Sequence, residues 1–406
     1  MRIYLTDLIM GYCQKRIQLK MVRLKNIIRY LGVCLIAGLA LSSCHKKGDV
    51  VVPPAPTPPS TPYVYNWISI ADSAVSSLNL FWYPSGQYYT GNNNTIGWVN
   101  YWPTAHALDV LVDLYLREPS AGTKEKMQEL ITGVRDMNGG TYIRDYYDDE
   151  EWMALACLRA YNATQDTSYK NITMLLWNDI KTGWSSDLGG GIWWRKDRPS
   201  KNTPSNMPAC ILATRLFKEF RDPDDSTWAV KIYNWEKNVL YNPATGLVYD
   251  NISSSGSVNT SWEFTYNQGT FIGAAEELYS ITHSSSYISD AVKAADYTLQ
   301  SGQLTKNGLL KDEGGGDGGL FKGVFVRYFT QFIINGNLSS DKKTQYINFL
   351  TNNAQKLWST GTNKSLILFG SAWDTPPGTT TDLTVQLSGI MLFDAMADLK
   401  KLNLVN

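Results

Sequence analysis

Leu155–Ile180 reads LACLRAYNATQDTSYKNITMLLWNDI, in which an apolar helical pattern ends in a short polar turn and a second helix begins in a hydroxyl-rich segment. The same arrangement occurs in Ala274–Leu299 (AAEELYSITHSSSYISDAVKAADYTL), and more loosely in Leu212–Val239. Units recurring at roughly 50 to 65 residues predict stacked helical hairpins. The stack is either an open solenoid or a closed ring.

Long connecting segments favour the ring. Residues 183–208, 241–270, 306–322 and 359–382 are rich in glycine and aromatic residues and share no period. A solenoid rarely carries such an insertion at every unit, whereas a closed toroid can display long loops at one end, and loops of this length tend to be functional. We therefore expect an all-α toroid of helical hairpins, in one domain covering residues 63–406.

The first 62 residues are expected to target and tether the protein. Residues 1–43 resemble a signal peptide, with basic residues before an 11-residue apolar run that is too short to span a bilayer. Translation is expected to start at Met21. Residues 41–44 (LSSC) resemble a bacterial lipobox, which would make Cys44 the lipidated first residue; a plain signal peptide ending near a cysteine is the alternative. Residues 44–62 then form a Pro-rich tether.

The composition excludes several functions. Without residues 1–43 the chain has 30 basic and 36 acidic residues and no basic stripe, so nucleic-acid binding is not expected. Cys157 and Cys210 lie in apolar helical stretches and are interpreted as buried thiols. No CxxC motif or His/Cys cluster is present, so we expect no metal and no cofactor. With 3 His residues in the chain, acid–base chemistry falls to carboxylates.

The candidate catalytic segment is Tyr146–Tyr161 (YYDDEEWMALACLRAY), where four acids open an apolar helix. Acids in a first turn are common because they favour the helix dipole, by about 0.3–1 kcal/mol each. However, Tyr147 and Trp152 flank the acids, and aromatic side chains are unusual around a merely solvated helix end. Asp148 and Asp149 therefore also fit a glycosidase pair, in which one carboxyl group keeps its proton while the other is ionised.

The spacing of this pair bears on the mechanism. Consecutive Cα atoms lie about 3.8 Å apart. Carboxyl groups on such residues reach the roughly 5 Å separation of a retaining glycosidase more readily than the 6.5–9.5 Å of an inverting one. Side-chain rotamers can widen the gap, so the spacing favours retention without deciding it.

Four further stretches have the composition of a sugar cleft, because they combine amides, cations and flat aromatic faces. Asp187–Arg195 (DLGGGIWWR) contains Trp193 and Trp194; Lys201 and Asn202 follow, with Asn206 close behind; Tyr266, Asn267 and Gln268 open a helix; and Phe321 and Lys322 lead into VFVRYF, with Arg327 one turn further on. The glycine-rich run at 314–319 (GGGDGG) lacks the Lys-Ser/Thr of a phosphate loop and is interpreted as a mobile segment.

In this order, YDD before Trp and an Ala-rich helix, GGGIWW, Lys-Asn, Tyr-Asn-Gln-Gly and Phe-Lys-Gly resemble glycoside hydrolase family 76 over most of residues 65–400. The resemblance implies an endo-α-1,6-mannanase with an (α/α)6 toroid and a retaining double displacement. It makes Asp148 the nucleophile and Asp149 the general acid/base, and it places the other motif residues in the cleft. It also implies mannan or its oligosaccharides as the substrate.

The expected protein is thus a monomeric, lipid-anchored mannanase of a Bacteroidetes type, facing the cell surface or the periplasm from the outer membrane. The alternatives are another toroidal carbohydrate enzyme (a uronyl hydrolase, a lyase or a transglycosylase) and a non-catalytic glycan-binding lipoprotein. An enzyme acting on uronates should carry more cations in its cleft, and a binding protein would not need the acid pair.

Overall fold

Twelve α-helices occur among residues 63–98 and 100–406, which are the residues that a computed structural model of the chain describes. The predicted signal peptide, Cys44 and the tether lie outside these residues. The helices, in chain order, are α1 (Trp67–Ser76), α2 (Tyr101–Arg117), α3 (Ala121–Met137), α4 (Tyr147–Thr164), α5 (Thr167–Thr182), α6 (Met207–Phe220), α7 (Pro223–Val239), α8 (Thr265–Thr282), α9 (Ser285–Gln300), α10 (Gly318–Asn335), α11 (Ser340–Ser359) and α12 (Leu383–Lys401).

The even-numbered helices form a closed inner ring. Each packs against the next, from α2 through α4, α6, α8 and α10 to α12, and α12 packs back against α2. An outer helix follows each of the inner helices α2, α4, α6, α8 and α10 in the chain. The outer partner of α12 is α1, so the two ends of the domain complete the sixth hairpin. The predicted all-α (α/α)6 toroid is confirmed. No helix within the described part of the chain is both long and apolar enough to cross a membrane.

The repeat seen in the sequence corresponds to one type of turn between inner and outer helices. Gln165, Arg221 and His283 each end an inner helix in the left-handed conformation, with φ of 59°, 63° and 55°. At the next position Asp166 and Asp222 start the outer helix by accepting a hydrogen bond from a backbone N–H group of its first turn. A left-handed residue that ends one helix and a side chain that caps the next allow a sharp reversal.

Short strands organise the long loops at the other end of the ring. β1 (Trp82–Tyr83), β2 (Tyr88–Asn92) and β3 (Thr95–Trp98) form an antiparallel sheet, and β4 (Ser200–Asn202) pairs with β5 (Asn251–Ser253). Asn202 lies opposite Asn251, so this pairing joins two of the predicted loops. Two hairpins complete the set: β6 (Thr305–Lys306) with β7 (Leu309–Leu310), and β8 (Thr362–Asn363) with β9 (Leu368–Phe369).

Buried apolar side chains of the inner and outer helices form one core, and a network of ion pairs joins the inner helices toward their C-terminal ends. Arg159 contacts Asp109 at 2.6 Å and Asp113 at 2.5 Å, and Arg327 contacts Asp113 at 2.7 Å. The expectation that Arg327 belongs to the cleft was therefore wrong. Its charge is balanced by acids of α2, because Arg327 lies well beyond the first turn of α10.

The two cysteines of the domain, Cys157 and Cys210, are buried free thiols, as the sequence predicts.

Candidate active site

A cavity of about 450 Å³ opens where the inner helices begin. The N-terminal turns of α2, α4, α8 and α10 and the loops before them contribute its wall. The lining residues are Trp102, Asp148, Trp152, Trp194, Ser200, Asn202, Pro204, Asp250, Asn251, Trp262, Phe264, Tyr266, Asp317 and Phe321. Aromatic faces, amides and carboxylates dominate this wall, and none of these residues is a lysine or an arginine.

Asp148 lies on the cavity wall and is held by two donors. The indole Nε1 of Trp194 donates to its Oδ2 at 2.9 Å, and the backbone N–H group of Asp149 donates to its Oδ1 at 3.0 Å. The Trp194 loop is fixed in turn, because the backbone N–H group of Tyr147 donates to the Trp194 carbonyl at 3.0 Å. Two donors orient the carboxylate and favour its ionised form.

Asp149 is 6% exposed and lies beside Asp148 in the first turn of α4. Arg144 approaches its Oδ2 with Nε at 3.4 Å and is itself held by Asn138, whose Oδ1 accepts from Nη1 at 2.8 Å. Burial raises the pKa of Asp149 to about 7, although Arg144 acts in the opposite direction, and the negative charge of Asp317 raises it further.

The two aspartates influence each other's protonation. Burial, and next the charge of Asp149, raise the pKa of Asp148, while the hydrogen bond from Trp194 opposes the rise. Two carboxylates this close do not both ionise readily, so near neutral pH the pair holds one proton between them. Such a pair can supply a carboxylate and a carboxylic acid to the same bond.

Glu150 and Glu151, the other two acids of the predicted segment, are buried in the domain and do not line the cavity. Glu150 is fully buried, and its Oε1 accepts the backbone N–H group of Arg144 at 2.7 Å, which fixes the turn that carries the arginine. Burial raises the pKa of Glu150 to about 9. Glu151 is also fully buried, and burial raises its pKa well above the usual range. Asp148 is the member of the four that lines the cavity, with Asp149 next to it.

Five of the predicted substrate-binding residues line the cavity: Trp152, Trp194, Asn202, Tyr266 and Phe321. Tyr266 and Phe321 stack face to face, with ring centroids 3.9 Å apart and planes inclined by 5°, so each ring fixes the orientation of the other in the cavity wall. These residues come from α4, α8, α10 and the long segment between α5 and α6, and the closed ring brings them together.

The other predicted binding residues do not line the cavity. Tyr147 shares a hydrogen bond with Thr182 on α5, at 3.3 Å between hydroxyl oxygens. Asn267 donates to Asp250 Oδ1 at 3.0 Å, and Gln268 donates to the Val248 carbonyl at 3.0 Å. These side chains support the cavity wall from behind.

The two predicted cleft lysines are likewise structural. The Lys201 ammonium donates to the carbonyls of Ser185 and Asp187, at 3.1 and 2.6 Å, and lies 4.6 Å from the ring centroid of Trp193. Lys322 donates to the Ser371 carbonyl. Burial lowers the pKa of each lysine to about 8. Placing them in the cleft was incorrect, because backbone carbonyls of the loops take up their donors.

Trp193 belongs to the same group, since its indole Nε1 donates to the Ser185 hydroxyl at 2.9 Å and its ring is 4% exposed.

Two carboxylates that line the cavity, Asp250 and Asp317, were not predicted from the sequence. Asp250 accepts hydrogen bonds from Tyr266 at 3.1 Å and from Asn267 at 3.0 Å. Asp317 accepts the indole N–H of Trp102 at 2.8 Å. Asp317 lies in the glycine run that was interpreted only as a mobile segment. The signals available were the long loop that contains Asp250 and the acid inside the glycine run.

The fold and the site together define a carbohydrate-active enzyme of the helical-toroid class, with paired acids in an aromatic cleft. The sequence profile of glycosyl hydrolase family 76 matches residues 69–401, and the chain belongs to this family. It is accordingly a glycosidase.

Solved structures of similar proteins agree with this assignment. The GH76A α-1,6-mannanase from Salegentibacter sp. HEL1_6 is 42% identical, with a TM-score of 0.80 over 82% of this chain and 100% of that one. The Lin0763 protein from Listeria innocua is 35% identical, with a TM-score of 0.76 over 83% of this chain and 98% of that one. Among curated proteins, mannan endo-1,6-α-mannosidase DCW1 of Saccharomyces cerevisiae is 23% identical over 340 residues, which is 75% of each chain.

Proposed function

We propose that this chain hydrolyses internal α-1,6-mannosidic bonds of mannan by a retaining double displacement. The observation that carries the proposal is the consecutive pair Asp148–Asp149 at the wall of an aromatic cavity, with Asp148 held by two donors and Asp149 buried beside Arg144. The similar Salegentibacter enzyme supports the substrate: an inactive variant with two consecutive aspartates replaced by asparagine was solved with α-1,6-mannotriose.

In the first step Asp148 Oδ attacks the anomeric carbon while the Asp149 carboxyl group gives its proton to the glycosidic oxygen, which leaves as an alcohol. In the second step the Asp149 carboxylate takes a proton from water, whose oxygen attacks the anomeric carbon and releases Asp148. The first step leaves Asp149 ionised, which is the form that the second step needs, and the second step returns its proton. Neither of these two steps uses a cofactor.

The composition of the cavity bears on the alternative substrates. Uronates carry a carboxylate that calls for a cationic partner, and no lysine or arginine is among the lining residues of the described cavity. Asp148, Asp250 and Asp317 instead make the wall acidic, which suits a neutral sugar with hydroxyl donors. These residues favour mannan over an anionic polysaccharide.

The test is incubation with unbranched α-1,6-mannan, with the anomer of the first product followed by NMR. We expect α-configured oligosaccharides that mutarotate later, and no turnover by Asp148→Asn or Asp149→Asn. Product that is initially β, or a variant pair that remains active, would contradict the mechanism. A large share of products longer than the substrate would indicate a transglycosylase.

We also propose that Cys44 carries a lipid that anchors the enzyme to the outer membrane, as residues 41–44 and the Pro-rich tether suggest. Detergent phase partitioning should place the wild-type chain in the detergent phase and Cys44→Ser in the aqueous phase. Protease treatment of intact cells then distinguishes a surface anchor from a periplasm-facing one. Equal partitioning of the two chains would contradict the anchor.

A further inference from the structure

A line of aromatic rings leads out of the cavity. It begins at the stacked pair Tyr266 and Phe321, continues to Phe264, whose ring centroid lies 5.1 Å from that of Phe321, and ends at Trp262, 6.0 Å from Phe264. Phe321 is buried, Phe264 is half-buried and Trp262 is exposed. Trp262 lines the cavity mouth and is 53% exposed, whereas Trp152, deeper in the same cavity, is 3% exposed.

The backbone explains why these rings point to the same side. Residues 262–264 precede α8 as an irregular segment, and Phe264 has φ −122° and ψ 143°. In extended chain, side chains two positions apart share a face, so Trp262 and Phe264 face the cavity while Glu263 points away from it.

Glu263 fastens this segment to the body of the domain. Its Oε2 accepts hydrogen bonds from the Tyr297 hydroxyl at 2.8 Å and from the Ser301 hydroxyl at 3.3 Å, both at the end of α9. Its carbonyl oxygen is 3.4 Å from the Lys311 ammonium. The segment that carries Trp262 is therefore held at three points, and the ring is presented at the rim by an anchored backbone.

We propose that Trp262 forms an outer subsite at the mouth of the cavity, which binds an additional mannosyl unit of the polysaccharide beyond the sugars held beside Asp148; this inference rests on the proposed function. A pyranose presents a face of C–H groups, which packs on an indole ring while its hydroxyls remain in water. The continuity of the ring line with the catalytic cavity makes the occupant the same chain that is cleaved there.

The test compares substrates of different length with the Trp262→Ala, Trp262→Phe and Leu175→Ala variants. Leu175 is a control on outer helix α5, 46% exposed and away from the cavity. For long α-1,6-mannan, kcat/KM of Trp262→Ala should fall about tenfold, the equivalent of roughly 1.4 kcal/mol. For the shortest oligosaccharide that is cleaved, it should stay within about twofold. Trp262→Phe should recover most of the loss, and Leu175→Ala should match the wild type.

A second readout separates this proposal from the proposed function. In the Asp148→Asn/Asp149→Asn background, calorimetry should show weaker binding of long α-1,6-manno-oligosaccharides when Trp262 is replaced by alanine, and unchanged binding of short ones. Inactivity of the wild-type enzyme on mannan would refute the proposed function instead. An equal loss for short and long substrates, no loss for either, or a change in sedimentation that marks Trp262 as a contact between copies would overturn the outer subsite.

Discussion

The indole Nε1 of Trp194 donates a hydrogen bond of 2.9 Å to Oδ2 of Asp148, across 46 positions of sequence. The bond joins the glycine-rich loop after α5 to the first turn of α4, so the loop orients the proposed nucleophile. A hydrogen bond to a charged group is worth about 1.5–3 kcal/mol, so the position of this loop should strongly affect the reactivity of Asp148.

Replacing Trp194 by phenylalanine keeps the aromatic face and removes the donor. We expect kcat/KM to fall about ten- to hundredfold, because Asp148 loses orientation and its carboxylate loses a stabilising bond. The acidic limb of the pH profile should move to higher pH, since the pKa of Asp148 rises further. The neighbouring substitution Trp193→Phe is the matched control, because that ring binds Ser185 outside the cavity. An equal loss in both variants would count against this role.

The alkaline limb of kcat/KM should lie at or above pH 7, because burial raises the pKa of Asp149 to about 7 and raises that of Asp148 as well, and the proposed first step needs the proton that the pair shares. Above this pH the acid is lost and the rate falls. Arg144→Gln removes a positive charge that lowers this pKa, so the limb should move to higher pH by roughly one unit.

Asp317→Asn provides the opposite change at the same group. The charge of Asp317 raises the pKa of Asp149, so neutralising it should move the alkaline limb to lower pH. Rate measurements from pH 5 to 9 on both variants check the two directions. A shift of the same sign in both would show that Asp149 is not the titrating acid.

Lys322 holds a loop of the domain through its bond to the Ser371 carbonyl. Lys322→Met should lower the free energy of unfolding by about 1–3 kcal/mol, because the substitution leaves a carbonyl without its donor. Denaturant unfolding measures the change. Lys306→Met, at an exposed hairpin position, is the control and should change stability by less than about 0.5 kcal/mol. A similar loss of unfolding free energy in the two variants would contradict a structural role for the Lys322 bond.

Arg159 bridges Asp109 and Asp113 within the inner ring, with 18% of its side chain exposed. Arg159→Met leaves two buried carboxylates short of a partner and should destabilise the fold by about 3–5 kcal/mol. Arg135→Gln breaks a surface pair with Asp136, whose side chains are 47% and 60% exposed, and should cost no more than about 1 kcal/mol. Thermal unfolding of both variants tests whether the interior network carries this difference.

The fold could be predicted from the sequence because the signals for helices and turns are local. A polar turn between two apolar helices recurs wherever the chain reverses, and the residues that make each reversal, such as Gln165 with Asp166, are neighbours in the chain. The acid pair is local too, since Asp148 and Asp149 are adjacent and their flanking aromatics lie within four residues. The aromatic residues Trp194 and Phe321 could also be expected in a cleft from their glycine-rich surroundings.

The sequence could not show which polar residues line the cavity and which are bonded within the fold. Lys201 and Lys322 have the composition of cleft cations, yet their ammonium groups are used by loop carbonyls that approach only in the folded chain. Asp250 lies in a long loop and Asp317 in the glycine-rich run, but neither has a second acid beside it as Asp148 does, and both reach the cavity because the ring closes. The amino-acid sequence alone thus determined the helical hairpins and the adjacent acid pair that we propose as catalytic. Only the closed packing of the ring decided which charged side chains line the cavity, because burial and pairing depend on residues far apart in the chain.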